Sequence, residues 1–502
     1  MTRESILKAA MPAASQSVRW GELYGSSSAY FLAEAAATAG APLVVIAGSS
    51  READQFLSEF RFFLSGRQPI LSFPDRETLP YDPFSPHPDI VSERLRTLAA
   101  LPDLRQGIVV TTPAALLDRL PPRNFIEAHA FSLCAGERID LPRLRKRLTD
   151  AGYAQVTQVL SPGEFAVRGS VVDLFPSGAP QPFRLDLFDD LIETVRSFDP
   201  ADQRSAARLA AVPLLPAREI PSSAEAIAEF RGRWRERFEG DPQQSAVYRG
   251  VTAGQMPAGI ESWLPLFFGA TAAFTDYLPK DSVIVDLAAL DHALPSYWTE
   301  IESRYQQRAH DRERPLLSPA ETFIPATTIQ AALAAWPRVA ITPVKVEPIA
   351  SGLPFVNFSS EPPPELRGDP RAESPLGKLA QFVADSGARI LIAADSPGRR
   401  EILLEMLRRQ GLPAVVAPDW AAFVDGGAPL ALAVAPDVRG LWLPGRAVAL
   451  VAEAQLFGER ARQERRRRRS ERDPEAILRE LAHFHPAPQS CTKTMASDAT
   501  AA

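Results

Sequence analysis

The sequence predicts a multidomain α/β protein with a β-rich segment set inside it. Short β-branched runs alternate with amphipathic helical stretches through residues 1–128, the pattern of a parallel sheet. Between residues 164 and 204 the alternation gives way to closely spaced strands separated by turn residues. Strand and helix then alternate again from Leu376 onward. The chain has 502 residues, 45% hydrophobic and 23% charged, which suits about three or four packed domains. Its 47 prolines suggest many connections and a modular build.

Residues 43–46 form a short buried strand, and Ser49, Ser50 and Arg51 lead into a helix carrying Phe56, Phe60 and Phe63 on one face. Residues 79–101, LPYDPFSPHPDIVSERLRTLAAL, begin with a proline-rich half that must be extended. Asp89 can cap a following helix whose Val91, Leu95 and Leu98 share a face. Residues 108–110 form a further strand, and Thr111, Thr112 and Pro113 open a helix through Leu117. A helix over 141–148 precedes the β-rich stretch.

Within that stretch residues 171–175 are apolar, and the turn residues 176–180 end them. Residues 183–188 alternate until Asp189 and Asp190. Strand parity places Phe183, Leu185 and Leu187 on a core face and Arg184, Asp186 and Phe188 on an outer one. Arginine and aromatic side chains are enriched at the energetic centres of protein interfaces. An Arg beside an Asp on a strand is also the ordinary make-up of a solvated cross-strand pair.

Residues 224–238 read as a helix rich in Arg and Glu, and residues 281–287 as a strand able to rejoin the first sheet. Residues 348–375 read as a connection. Beyond it come a helix, a strand over 390–393, a helix over 399–409 and a strand over 447–451. The end of the chain carries five consecutive arginines, Arg465 to Arg469, and a helix start at Asp473 and Pro474. Residues 486–502 are polar, of low complexity, and expected to be disordered.

A net charge of −6 argues against a general nucleic-acid binder. The two cysteines, Cys134 and Cys491, have no metal-ligand spacing, which fits a cytoplasmic protein. The opening residues have no apolar leader pattern, and no apolar run is long enough for a membrane span. No catalytic or metal-binding motif of the usual kinds occurs. His87 reads as structural, and Asp189, Asp190 and Glu193 read as a turn boundary. The arginine run reads as a linker helix, with a nonspecific contact to DNA phosphates as the alternative. No aromatic residues interleave with it, which argues against stacking on single strands.

Several segments together resemble the bacterial transcription-repair coupling factors. They are Arg168-Gly169, Asp173-Leu174-Phe175-Pro176 and residues 184–190, RLDLFDD, with LPYDPFSPH at 79–87 and MPAGIESW at 256–263. The likeness runs in one order over residues 15–482. It implies a discontinuous helicase-type α/β domain like that of the excision-repair protein UvrB, formed by residues 1–128 and 216–345. An inserted β-rich domain would occupy 129–215, a third α/β domain 346–458, and an Arg-rich linker helix and tail 459–502.

The resemblance implies a non-catalytic docking module for UvrA, the damage-recognition ATPase, with Arg168, Arg184 and Phe188 at the UvrA-contacting positions. In this reading Asp186 orients Arg184, and a bulge at Gly169 re-aims the Arg168 strand. RNA polymerase and double-stranded DNA would be engaged, with ATP and magnesium, by a polymerase-binding domain and a translocase motor that this sequence does not contain. A C-terminal domain that masks the UvrA-binding face in the family is also missing, so the face is expected to be open.

Residues 21–30, GELYGSSSAY, match the position of UvrB's phosphate loop. A working loop needs a Lys for the terminal phosphates and a Ser or Thr for magnesium. Ser28 and Ala29 stand there, so a degenerate nucleotide site is expected around Gly25, with backbone amides still on offer. The alternatives to a docking module are a degenerate NTPase or DNA-remodelling protein, and a DNA-binding fragment acting through the arginine tail.

Overall fold

The computed structural model describes residues 11–12, 16–348, 352–368 and 375–458. Its largest element is a parallel seven-stranded sheet. The strand order is Phe355–Asn357, Ser17–Gly21, Arg338–Ile341, Val283–Asp286, Pro42–Ile46, Gly107–Thr111 and Ile70–Phe73. The central strands Pro42–Ile46 and Gly107–Thr111 are buried at every position. Helices on both faces of a parallel sheet leave its strands no wet side, so they read as continuous apolar runs. The sheet draws strands from both sides of the β-rich segment, with Val283–Asp286 pairing directly with Pro42–Ile46.

Ser49 caps the helix Ser50–Leu64 by accepting from the Glu52 amide, and Phe56, Phe60 and Phe63 enter the core. The next helix, Pro88–Ala100, is capped by His87, not Asp89: the His87 ring accepts from the Asp89 amide at 3.3 Å. Proline supplies the first helical residue there, because its missing N–H is not needed at that position.

The β-rich segment forms a six-stranded sheet in the order Ser205–Leu209, Leu191–Phe198, Phe183–Phe188, Val171–Phe175, Glu164–Arg168 and Ala154–Gln155. All neighbours are antiparallel except the last pair. The helix Leu141–Asp150 packs Leu144 and Leu148 against Val172, Leu174, Phe183, Leu185 and Leu187, so one face of this sheet is covered. A largely buried ionic cluster ties the segment's exit to the first sheet. Glu219 accepts from Arg94 at 2.6 Å and Arg76 at 3.0 Å, and Asp118 lies 3.1 Å from Arg94.

A five-stranded sheet follows, in the order Val415–Val416, Leu430–Val434, Arg389–Ala394, Val448–Ala452 and Leu441–Leu443. The stretch read as a connection holds a strand, Phe355–Asn357, which extends the first sheet beside Ser17–Gly21. Three residues are too few to show a period of two. The arginine run, the Asp473 helix start and the low-complexity tail lie outside the described residues. Among the described residues no helix is long and apolar enough to cross a membrane.

Candidate functional site

The other face of the six-stranded sheet, covered in part by Val156 and Val159 over Ala166, Phe175 and Phe198, gathers the residues singled out in the sequence. Along Phe183–Phe188 the parity holds: Phe183, Leu185 and Leu187 are buried, Arg184 and Asp186 half-buried, and Phe188 is 73% exposed. Glu164–Arg168 and Val171–Phe175 are joined by the two-residue turn Gly169-Ser170, with Arg168 paired to Val171. Gly169 has φ +60°, as the first central position of a type II′ turn requires. That pairing has no bulge. Register shifts occur instead in Leu191–Phe198, between Ile192 and Thr194 against one neighbour and between Arg196 and Phe198 against the other.

Register sets the neighbours. Asp173, Arg184 and Arg196 lie side by side across three strands, with Arg208 beyond them on the edge strand. Asp173 is only 1% exposed. Its carboxylate accepts from Arg184 Nε at 2.7 Å and Nη2 at 2.9 Å, and from Arg168 as well. The hydrogen bond to Asp173 raises the Arg184 pKa above its ordinary value. The Arg184 guanidinium also lies 4.7 Å from the Phe198 ring centre.

Asp186 does not orient Arg184. It accepts from Thr194 Oγ1 and Arg196 Nη2, each at 2.5 Å. Side chains two apart on one strand are about 6.6 Å apart, whereas directly opposite residues stand about 5 Å apart. The cross-strand partner, Asp173, therefore holds Arg184.

Arg168, Arg184, Asp186 and Arg196 line a surface hollow together with Gln158, Val171 and Gln203. The three guanidiniums outnumber Asp186 in the hollow and buried Asp173 behind it, so the hollow is electropositive and suited to receive carboxylates. Phe188 stands beside it as an exposed apolar anchor. Arg196 and Arg208 went unread in the sequence because their two strands, Leu191–Phe198 and Ser205–Leu209, lie beyond the Asp189-Asp190 turn. Simple alternation from buried Ile192 would have put Arg196 on the core face, because a register shift between Ile192 and Thr194 resets the parity.

The Gly21–Tyr30 segment keeps a positive φ at Gly25, but the amides on either side of Gly25 are occupied. Ser26 N–H donates to the Gly440 carbonyl at 2.7 Å and Tyr24 N–H to Ser360 Oγ at 3.0 Å. A side chain at Gly25 would meet the Gly440 oxygen at 2.4 Å. Ser28 and Ala29 are buried in the helix Ser27–Ala39. The Tyr24 and Ser26 amides thus serve segments more than 300 residues away in sequence. Ser26 Oγ donates to Glu59 at 2.7 Å, and Arg439 binds the same carboxylate at 3.1 and 2.8 Å. Asp189 sits in its turn at φ +57°, Asp190 pairs with Arg138, and no His/Cys/Asp/Glu group among the described residues could hold a metal.

Residues 131–220, the segment that builds this face, match the family model "UvrB interaction domain". Residues 382–456 match "MFD, D3 domain". The chain is 34% identical to the transcription-repair-coupling factor of Escherichia coli K12 over 93% of its own length and 40% of that protein's. The Haemophilus influenzae protein of the same name is 34% identical over 83% of this chain and 36% of its own length. The Myxococcus xanthus one is 29% identical over 91% and 40%. The chain therefore spans about two-fifths of the length of these curated relatives. With both domain models in place and the likeness running through nearly the whole chain, this protein belongs to the transcription-repair coupling factor family.

Proposed function

We propose that this chain is a non-catalytic docking module that recruits UvrA to DNA damage where RNA polymerase has stalled. The carrying observation is the arginine-bearing sheet face of the UvrB interaction domain, which holds half-exposed Arg168, Arg184 and exposed Phe188. In this reading the two arginines pair with acidic groups of UvrA and Phe188 fills an apolar pocket between them. RNA polymerase and double-stranded DNA are partners of other parts of the family's proteins. The filled phosphate loop supports a module that neither binds nor hydrolyses ATP.

Truncating one partner of a desolvated charge pair costs about 2–5 kcal/mol. Arg184→Ala should therefore weaken UvrA binding at least about tenfold. Exposed Arg208, which has no carboxylate to hold it in place, should matter less. The test is capture of purified UvrA by this chain without nucleotide or polymerase. No capture, or equal capture by the Arg168/Arg184/Phe188 triple alanine variant, would refute the proposal.

A further inference from the structure

We infer that Asp173 is the positioning residue of the docking face. It fixes Arg168 and Arg184 before a partner arrives and matters to binding only through them. The inference rests on the docking reading above. Asp173 lies in the strand Val171–Phe175, between Val172 and Leu174, whose side chains enter the core on the other face. Its own side chain points to the arginine face and is covered almost completely. The groups that bind its carboxylate are the two guanidiniums: Arg184 by a two-pronged grip, Arg168 from the adjacent strand.

A buried carboxylate is a weak device for stability, since an apolar side chain of similar size often serves as well or better. As a positioning device it has a specific use. Free arginine side chains lose rotamer freedom on binding, and holding them in advance removes that loss. Sharing one carboxylate between two guanidiniums also leaves donors over for a partner. Arg168 is half exposed, and Arg184 Nη1 makes only a long 3.4 Å contact with the Gln203 carbonyl. The partner chemistry is a segment bearing carboxylates, because only acceptors can complete these sites.

The discriminating experiment is the kinetics of UvrA binding to the full chain, comparing wild type with Asp173→Asn. The amide keeps the shape, loses the charge and turns an N–H toward a guanidinium. Release of the two side chains should make dissociation about tenfold faster. The face also gains one net positive charge, so association with an acidic partner should be as fast or faster at low salt, with a steeper salt dependence. Damage to the fold alone would reduce the binding-competent fraction and leave the dissociation rate unchanged. In an Arg168→Ala/Arg184→Ala background, Asp173→Asn should add little, because there is nothing left to position. Asp173→Ser, smaller and uncharged, carries the same expectation should the amide fail to pack. If wild type binds and both folded variants dissociate within about twofold of its rate, the inference is overturned and the docking reading stands. If wild type does not bind UvrA, both fall.

Discussion

Replacing Arg439 by alanine tests how firmly the loop of the five-stranded sheet holds the Gly21–Tyr30 segment. Glu59 has no solvent exposure, and Arg439 binds its carboxylate through Nε and Nη2 while stacking 4.5 Å from the Phe56 ring centre. Breaking a buried ion pair on one side costs about 3–5 kcal/mol, because the other charge is left uncompensated. Two donors survive the substitution: Ser26 Oγ at 2.7 Å and the residue 439 amide at 3.1 Å. They place the expected loss at the low end, about 3 kcal/mol, or about two orders of magnitude in the opening equilibrium.

Amide hydrogen exchange reads that opening directly. The Ser26 amide is bonded to the Gly440 carbonyl, and the Arg439 amide to Ser26 Oγ, so both are released only when the junction parts. Exchange at these two amides should accelerate about a hundredfold in Arg439→Ala, while amides of the Phe183–Phe188 strand stay unchanged. Adding Glu59→Gln should recover part of the loss, since no buried charge then lacks a partner. An acceleration below about fivefold at Ser26 and Arg439 would refute the reasoning.

Two further outcomes follow from the same structure. Restoring the missing side chains with Ser28→Lys and Ala29→Thr should not create ATP binding, because the Ser26 and Tyr24 amides remain engaged and the Gly440 carbonyl sits against Gly25; micromolar binding by calorimetry would refute this. Glu321 should give a small acid-dependent term. The hydrogen bond from Arg237 is the largest cause that lowers its pKa from 4.5 to about 2. A carboxylate pKa depressed by folding adds stability above the unfolded value, and this is lost as pH falls from about 5 toward 2. The pair is partly exposed, so screening holds its worth to about 1 kcal/mol or less. Urea titrations at pH 6 and pH 3 should therefore show a smaller acid loss in Glu321→Gln than in wild type; an equal loss would exclude the role.

The local features of the docking face were legible in the chain because they depend on neighbours in sequence. Alternation from Phe183 to Phe188 is enough to separate core from outer residues, since the pleat has a period of two. Gly169 and Asp189-Asp190 mark turns for local backbone reasons. What lay beyond the turn was harder to read. In Leu191–Phe198 the buried residues Ile192 and Val195 are three apart, because the bulge breaks the parity that would have assigned Arg196. The cap of Pro88–Ala100 was misplaced by two residues because both His87 and Asp89 offer an acceptor, and only backbone geometry selects one.

The sequence by itself determined the α/β class, the β-rich segment, the outward placement of Arg184 and Phe188, and the absence of a lysine and a hydroxyl at Ser28 and Ala29. All of these are properties of residue type and local period. Only the tertiary structure decided that Asp173, not Asp186, holds Arg184, because register sets which residues stand opposite one another. It alone decided that the Tyr24 and Ser26 amides are taken, because the atoms that take them, Ser360 Oγ and the Gly440 carbonyl, come from segments more than 300 residues away. Backbone amides carry no mark in the sequence of where their hydrogen bonds go; that accounting closes only when the chain is folded.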